Sequence, residues 1–180
     1  MISKFILKTF GWKEIGAFPD LKKCVVIIAP HTSLMDFVIG KLYYSSIRKK
    51  PKFIIKKEFF VFPFGYILKA IGGIAVDRKK GVSIIEQIVE KFKKSENLIV
   101  NITPEGTRKK VKRWKKGFYQ IAEKANISIA VSCIDYKKKQ MGVIAVFHTT
   151  GDYNKDIKEI RNYYKGISGK YPEKFYIEDE

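Results

Sequence analysis

The chain has 180 residues, 46% of them apolar, which suits one α/β domain with a sizeable core and argues against a disordered segment. Thirty-six Lys and Arg against 18 Asp and Glu give a net charge of +18, a surplus that asks for an anionic partner: nucleic acid, acidic lipid, a phosphorylated substrate or an acidic carrier protein. Cys24 and Cys133 both sit inside apolar runs, which argues against a disulfide framework and for a reducing compartment, and no Cys/His cluster suggests zinc.

Met1 to Trp12 places Ile2, Phe5, Ile6 and Phe10 at helical spacing, with Lys4 and Lys8 elsewhere. This is a short amphipathic helix with a basic fringe, either an interfacial anchor or a helix packed on the domain. Cys24 to Ala29 is apolar, rich in β-branched residues and too short for a helix, so it reads as a buried strand. Pro30 removes a backbone donor and should end that strand, leaving His31 at its exit. Ser33 and Asp36 then have capping-box spacing at the start of a helix running from Phe37 to Arg48. Helical side chains lean toward the N-terminus, so Asp36 should point back at the turn that holds His31. A histidine with a carboxylate aimed at it is the minimum for a general base, although a turn histidine beside a dipole-favoured Asp is the plainer reading of those two residues alone.

Phe53–Ile55 reads as a short strand. Phe59 to Tyr66 then concentrates five aromatics in eight residues, which makes a core corner, an apolar wall for a lipid chain, or an exposed patch that docks on membrane. The longest apolar region, Phe59 to Ala75, is broken by Pro63, Gly65, Lys69, Gly72 and Gly73, so the sequence is not expected to cross a bilayer, which leaves lying on one open. Gly72 to Arg78 reads as a strand leaving the sheet at Arg78. Ser83 and Glu86 form a capping box for a helix with Ile84, Ile85, Ile88, Val89 and Phe92 on its apolar face.

Leu98–Ile102 is the next strand, and it runs into Thr103-Pro104-Glu105-Gly106-Thr107-Arg108. Pro104 and Gly106 force a tight turn where backbone donors, a hydroxyl and a guanidinium suit a phosphate. Seven of the nine residues from Arg108 to Lys116 are basic and none is acidic, an anion-attracting rim directly after that turn. A helix follows to about Ala125. Ile127–Cys133 and Gly142–His148 read as paired strands, with His148 structural, and residues 151–180 as a closing helix and tail. The whole of 1–180 is expected to be one domain, with 1–20 as an N-terminal interfacial segment. Strands alternating with helices argue for a mixed, mostly parallel sheet flanked by helices.

His31-x4-Asp36, Gly73-Ile-Ala-Val-Asp-Arg78 and Pro104-Glu-Gly-Thr-Arg108, in this order, resemble the glycerolipid acyltransferase family, whose best-known members are 1-acylglycerol-3-phosphate acyltransferases. The resemblance implies His31 as the base that deprotonates an acceptor hydroxyl, with Asp36 orienting it. It implies Arg78, Glu105, Gly106, Thr107 and Arg108 as the holders of a glycerol phosphate, with Lys56 or Lys57 as a further cation. It also implies no bound cofactor or metal, an acyl-CoA or acyl carrier protein thioester as co-substrate, and work in the cytoplasm, peripheral on an anionic membrane surface. The chain departs from the family pattern at Pro30, Thr103 and Ser132, where Asn, Phe and Pro are usual. Other lipid acceptors (a lyso-phospholipid, an ornithine lipid, a glycolipid) fit the same residues. The rival reading is a basic nucleic-acid-binding module, although no nucleic-acid motif accompanies the charge.

Overall fold

In the computed structural model, which describes residues 2–77 and 81–177, the amphipathic start becomes α1 (Ile2–Thr9). Its inward residue is Leu7, packed with Ile39 and Tyr43, while Ile2, Phe5 and Phe10 stand exposed. A two-residue strand, β1 (Lys13–Glu14), follows; nothing in its sequence announces it, and it exists by parallel pairing with Gln140 and Met141. The strand before His31 is β2 (Lys23–Ala29). Then come α2 (Met35–Ser46), β3 (Lys52–Lys56), a 3-10 turn (Lys57–Phe59), α3 (Phe64–Ala70) and β4 (Gly73–Val76). The second half supplies α4 (Ile84–Lys94), β5 (Leu98–Ile102), α5 (Gly117–Ala125), β6 (Ser128–Asp135), β7 (Gln140–Phe147) and α6 (Tyr153–Asn162).

The seven strands make one sheet in the order β1-β7-β6-β2-β5-β3-β4. Every pairing from β6 across to β4 is parallel, and β7 returns antiparallel to β6. The C-terminal ends of β2, β3, β4, β5 and β6 therefore share one edge, where ligands sit in α/β sheets. β2 and β6 are central and covered on both faces, which is why both read as continuous apolar runs.

One face of the sheet carries α4, α5 and α6 over a core that includes Val25, Ile27, Ile129 and Val131. Tyr164, at the end of α6, donates to the Ser132 carbonyl at 3.0 Å, and buried Asp156 accepts from the Tyr119 hydroxyl at 2.8 Å, so that helix is fixed to both sheet and α5. The other face carries α1 and α2 over Ile28, Ile134 and Met141, and Phe18 and Leu21 over Cys24, Val26 and Ala130. The end of α3 lies beside α2, because the Lys41 ammonium donates to the Ile71 carbonyl at 2.8 Å.

The capping box expected at Ser83 forms: Ser83 accepts from the Glu86 amide at 3.1 Å, and Glu86 accepts from the Ser83 amide at 3.0 Å. At Ser33 only half of the expected box forms, the Asp36 carboxylate accepting from the Ser33 amide at 2.9 Å. Helix α2 begins at Met35, with Leu34 as its N-cap, and the Ser33 hydroxyl accepts from the Met35 amide rather than from that of Asp36. The cause is the carboxylate of Asp36, which is drawn into the preceding turn by several donors at once.

Candidate active site

Pro30 ends β2 and turns the chain so that His31, Thr32 and Ser33 wrap around the Asp36 carboxylate. Asp36 Oδ2 accepts from the Thr32 amide at 2.8 Å and the Ser33 amide at 2.9 Å, and it lies 3.1 Å from His31 Nδ1. Oδ1 accepts from the Tyr136 hydroxyl at 2.8 Å. Asp36 is only 4% exposed, and burial alone would push its carboxyl up. The hydrogen bonds from His31, Ser33 and Tyr136 outweigh burial and hold it below the ordinary carboxylate range. Burial, and then the bond to Asp36, push the Tyr136 hydroxyl far up, so it stays a donor throughout the working pH range.

An ionised carboxylate can only accept, so Nδ1 of His31 must carry the proton in its contact with Asp36. In the neutral ring Nε2 is then a free base. The imidazole is 22% exposed and lines a cavity of about 290 Å³. α2 supplies Phe37, Gly40 and Lys41 to that cavity, β3 supplies Phe53, and Ile28 and Ile102 complete the apolar wall. Tyr44 donates to Asn101 Oδ1 at 3.0 Å, which satisfies the two polar groups deepest in the lining. An apolar slot with a buttressed base at its mouth can take an acyl chain and accept a proton from a hydroxyl.

The Glu105 turn is joined to the same place. Glu105 Oε2 accepts the His31 amide at 2.8 Å, from 74 residues further along the chain. Glu105 is 3% exposed, and burial pushes its carboxyl up to about 7; the His31 amide opposes this and the nearby Asp36 charge adds to it. Gly106 adopts a φ of +66°, which L side chains avoid, and the Lys115 side chain folds directly over its α-carbon. Lys115 is held there by its amide, which donates to the Pro104 carbonyl at 2.8 Å.

The expected residues thus divide. His31, Asp36 and Glu105 are brought together by direct hydrogen bonds, with Gly106 and Thr107 in the adjoining turn. Arg108 is exposed at the start of the basic run and does not line the His31 cavity. Lys57 also lies outside that cavity, paired with Asp77 at 3.2 Å in a neighbouring cleft with Ala75 and Glu86. Arg78 falls outside the described residues. Three participants have no part in the sequence reading of the site: Tyr136, Lys115 as the particular cation over the turn, and Lys41 in the cavity wall. Tyr136 carried one usable signal, a polar residue directly after a strand that proves parallel to β2.

Among the described residues no helix is long and apolar enough to cross a membrane, and no group of three His, Cys, Asp or Glu side chains is placed to hold a metal.

A search of curated proteins finds no match. The fold is similar to that of a crystal structure of the 1-acyl-sn-glycerophosphate (LPA) acyltransferase PlsC from Thermotoga maritima, with a TM-score of 0.61 over 92% of this chain and 73% of that one. At 18% identity that likeness is one of fold. The family model described as Acyltransferase matches residues 14–135, a span that runs from β1 to the end of β6 and holds the His31 turn, the cavity wall and the Glu105 turn, and by that match the chain belongs to the acyltransferase family.

Proposed function

We propose that the protein transfers a fatty acyl group from an acyl thioester to the hydroxyl of a lysophosphatidate-like glycerolipid, with His31 as the general base. One observation carries this reading: His31 Nδ1 is held 3.1 Å from a buried carboxylate while the ring lines an apolar cavity. His31 Nε2 takes the proton of the acceptor hydroxyl as its oxygen attacks the thioester carbonyl. The tetrahedral adduct then collapses, the carbon–sulfur bond breaks, and the thiolate takes the proton from the imidazolium. No acyl-enzyme is needed, since Ser33 is committed to the Met35 amide. Asp36 fixes the tautomer and stabilises the imidazolium.

The acceptor phosphate lies at the Gly106–Arg108 turn, where Thr107, Arg108 and the overlying Lys115 meet beside Glu105. Lys57, directly after β3, is a further cation for that phosphate, and Arg78 is assigned the same role on its place in the sequence alone. The acyl chain occupies the cavity between α2 and β3. The donor is a thioester on coenzyme A or an acyl carrier protein. The enzyme works at the anionic inner surface of the membrane, to which its charge of +18 draws it.

His31→Ala tests the chemistry. Thioester release with lysophosphatidate as acceptor should fall about 10²–10⁴-fold while the melting temperature stays near that of the wild type. Near-normal turnover in a folded H31A protein would remove His31 from the base role. Running the same assay over a panel of lyso-lipid, ornithine-lipid and glycolipid acceptors identifies the substrate.

A further inference from the structure

Thirteen of the seventeen large apolar side chains that stand exposed among the described residues belong to α1 and Phe10 after it, to Leu34 and the start of α2, and to the segment from the 3-10 turn into α3. α1 packs on α2, the end of α3 is bonded to Lys41 of α2, and Lys41 also lines the His31 cavity between α2 and β3. The densest part is Phe59, Val61, Phe62, Phe64, Tyr66 and Ile67, with Phe62 85% exposed. A monomer rarely leaves so many large apolar groups together in water.

The segment is built to hold these groups outward. The Gly65 amide donates to the Val61 carbonyl at 2.7 Å, and Gly65 sits so close to the backbone of Phe60 that no side chain would fit. Phe62 and Tyr66 meet edge to face at 6.3 Å. Between Phe60, Phe62 and Tyr66 lies a dimple of about 270 Å³ with Lys69 on its wall. Lys56, Lys57 and Lys69 fringe the patch with Glu58, all four exposed, and Lys57 is paired with Asp77.

We propose that the 59–67 segment is the surface by which the protein docks on an anionic lipid bilayer, its aromatic side chains entering the acyl boundary and its lysines meeting lipid phosphates. The pattern of apolar tip and cationic fringe fits lipid and not a protein groove. The α1 helix, with Ile2 and Phe5 exposed, packs on α2 and adds to the contact. The surface deepens the acyl-transfer reading and rests on it for its purpose: a docked cavity mouth receives its substrate from the membrane directly.

The probe is co-sedimentation with vesicles of equal parts phosphatidylglycerol and phosphatidylcholine. Wild type should bind them and bind vesicles of phosphatidylcholine alone much more weakly. Phe62→Ser with Tyr66→Ser should lower partition at least about tenfold, and Ile2→Ser with Phe5→Ser should lower it less. Turnover of a short-chain donor and acceptor free in solution should match wild type in F62S/Y66S, which also controls for folding. Equal partition of F62S/Y66S and wild type overturns the proposal, as does a self-associated wild type that the substitutions make monomeric with vesicle binding unchanged. Inactive His31→Ala should sediment like wild type; if H31A instead retains turnover, the acyl-transfer reading fails while the vesicle result stands independently.

Discussion

Asp36 holds four donors at once, and Tyr136 is the one that a single substitution removes most cleanly. The two backbone amides cannot be mutated away, and removing His31 removes the chemistry. Tyr136→Phe keeps the ring and its edge contact with Trp12 at 5.1 Å while deleting the hydroxyl. A hydrogen bond to a charged group contributes about 1.5–3 kcal/mol. Freed on one side, the carboxylate can rotate away from Nδ1, so kcat should fall about tenfold with KM for the acceptor unchanged. Steady-state kinetics of Y136F decide this, and an unaltered kcat would show that the Thr32 and Ser33 amides suffice. Sequence alone could not place Tyr136, because it reaches Asp36 across 100 residues through the β2–β6 pairing. His31 and Asp36 were legible because they are five residues apart and joined by a local turn.

Helix α2 brings two roles onto one element. Its first turn supplies Asp36, and its next supplies Gly40, which faces the cavity with open space where a side chain would go. Gly40→Leu should therefore do two opposite things. It should stabilise the helix by up to about 1 kcal/mol, since glycine is a poor helix former. It should also occupy part of the cavity, lowering kcat/KM for long-chain thioesters about tenfold while sparing short ones. A chain-length series of donors, with melting curves alongside, separates the two effects; an unchanged series would place the acyl chain elsewhere. Elements with their own local signal were readable beforehand: the buried runs of β2 and β6, the capping box of α4, the proline that ends β2. β1 was not, because two polar residues carry no pattern and pair only once β7 is in place. Nor was α3, whose aromatics do not alternate with polar residues and point into solvent on both sides of its axis.

At the scale of the whole molecule, Glu105 couples the site to global stability. Its carboxyl is raised to about 7 in the fold from the ordinary 4.5, chiefly by burial. A raised acid favours the folded state while it is protonated. That contribution is complete below about pH 4.5, is lost as pH climbs through 7, and amounts to at most about 3 kcal/mol. Glu105→Gln keeps an oxygen for the His31 amide and removes the titration. Wild type should thus lose more Tm between pH 5 and pH 8 than E105Q, and parallel curves for the two would place the carboxyl in a wetter setting. The sheet, its mostly parallel order and the shared edge of strand exits followed from the alternation of runs. Which cations share the His31 cavity did not, because exposed lysines and arginines are placed by loop paths that no periodicity encodes; Lys57 pairs with Asp77, and Lys115 folds over Gly106.

The segment beyond α6 returns to the catalytic turn. Ser168 accepts the Tyr136 amide at 2.8 Å, Gly169 abuts Thr32 without room for a side chain, and the Tyr171 amide donates to the Thr32 hydroxyl at 3.3 Å. The turn around residue 31 is therefore stitched by a segment 139 residues further along the chain. During synthesis residues 168–171 must clear the ribosome before that stitching can finish, so the turn stays chemically silent until they have swung back.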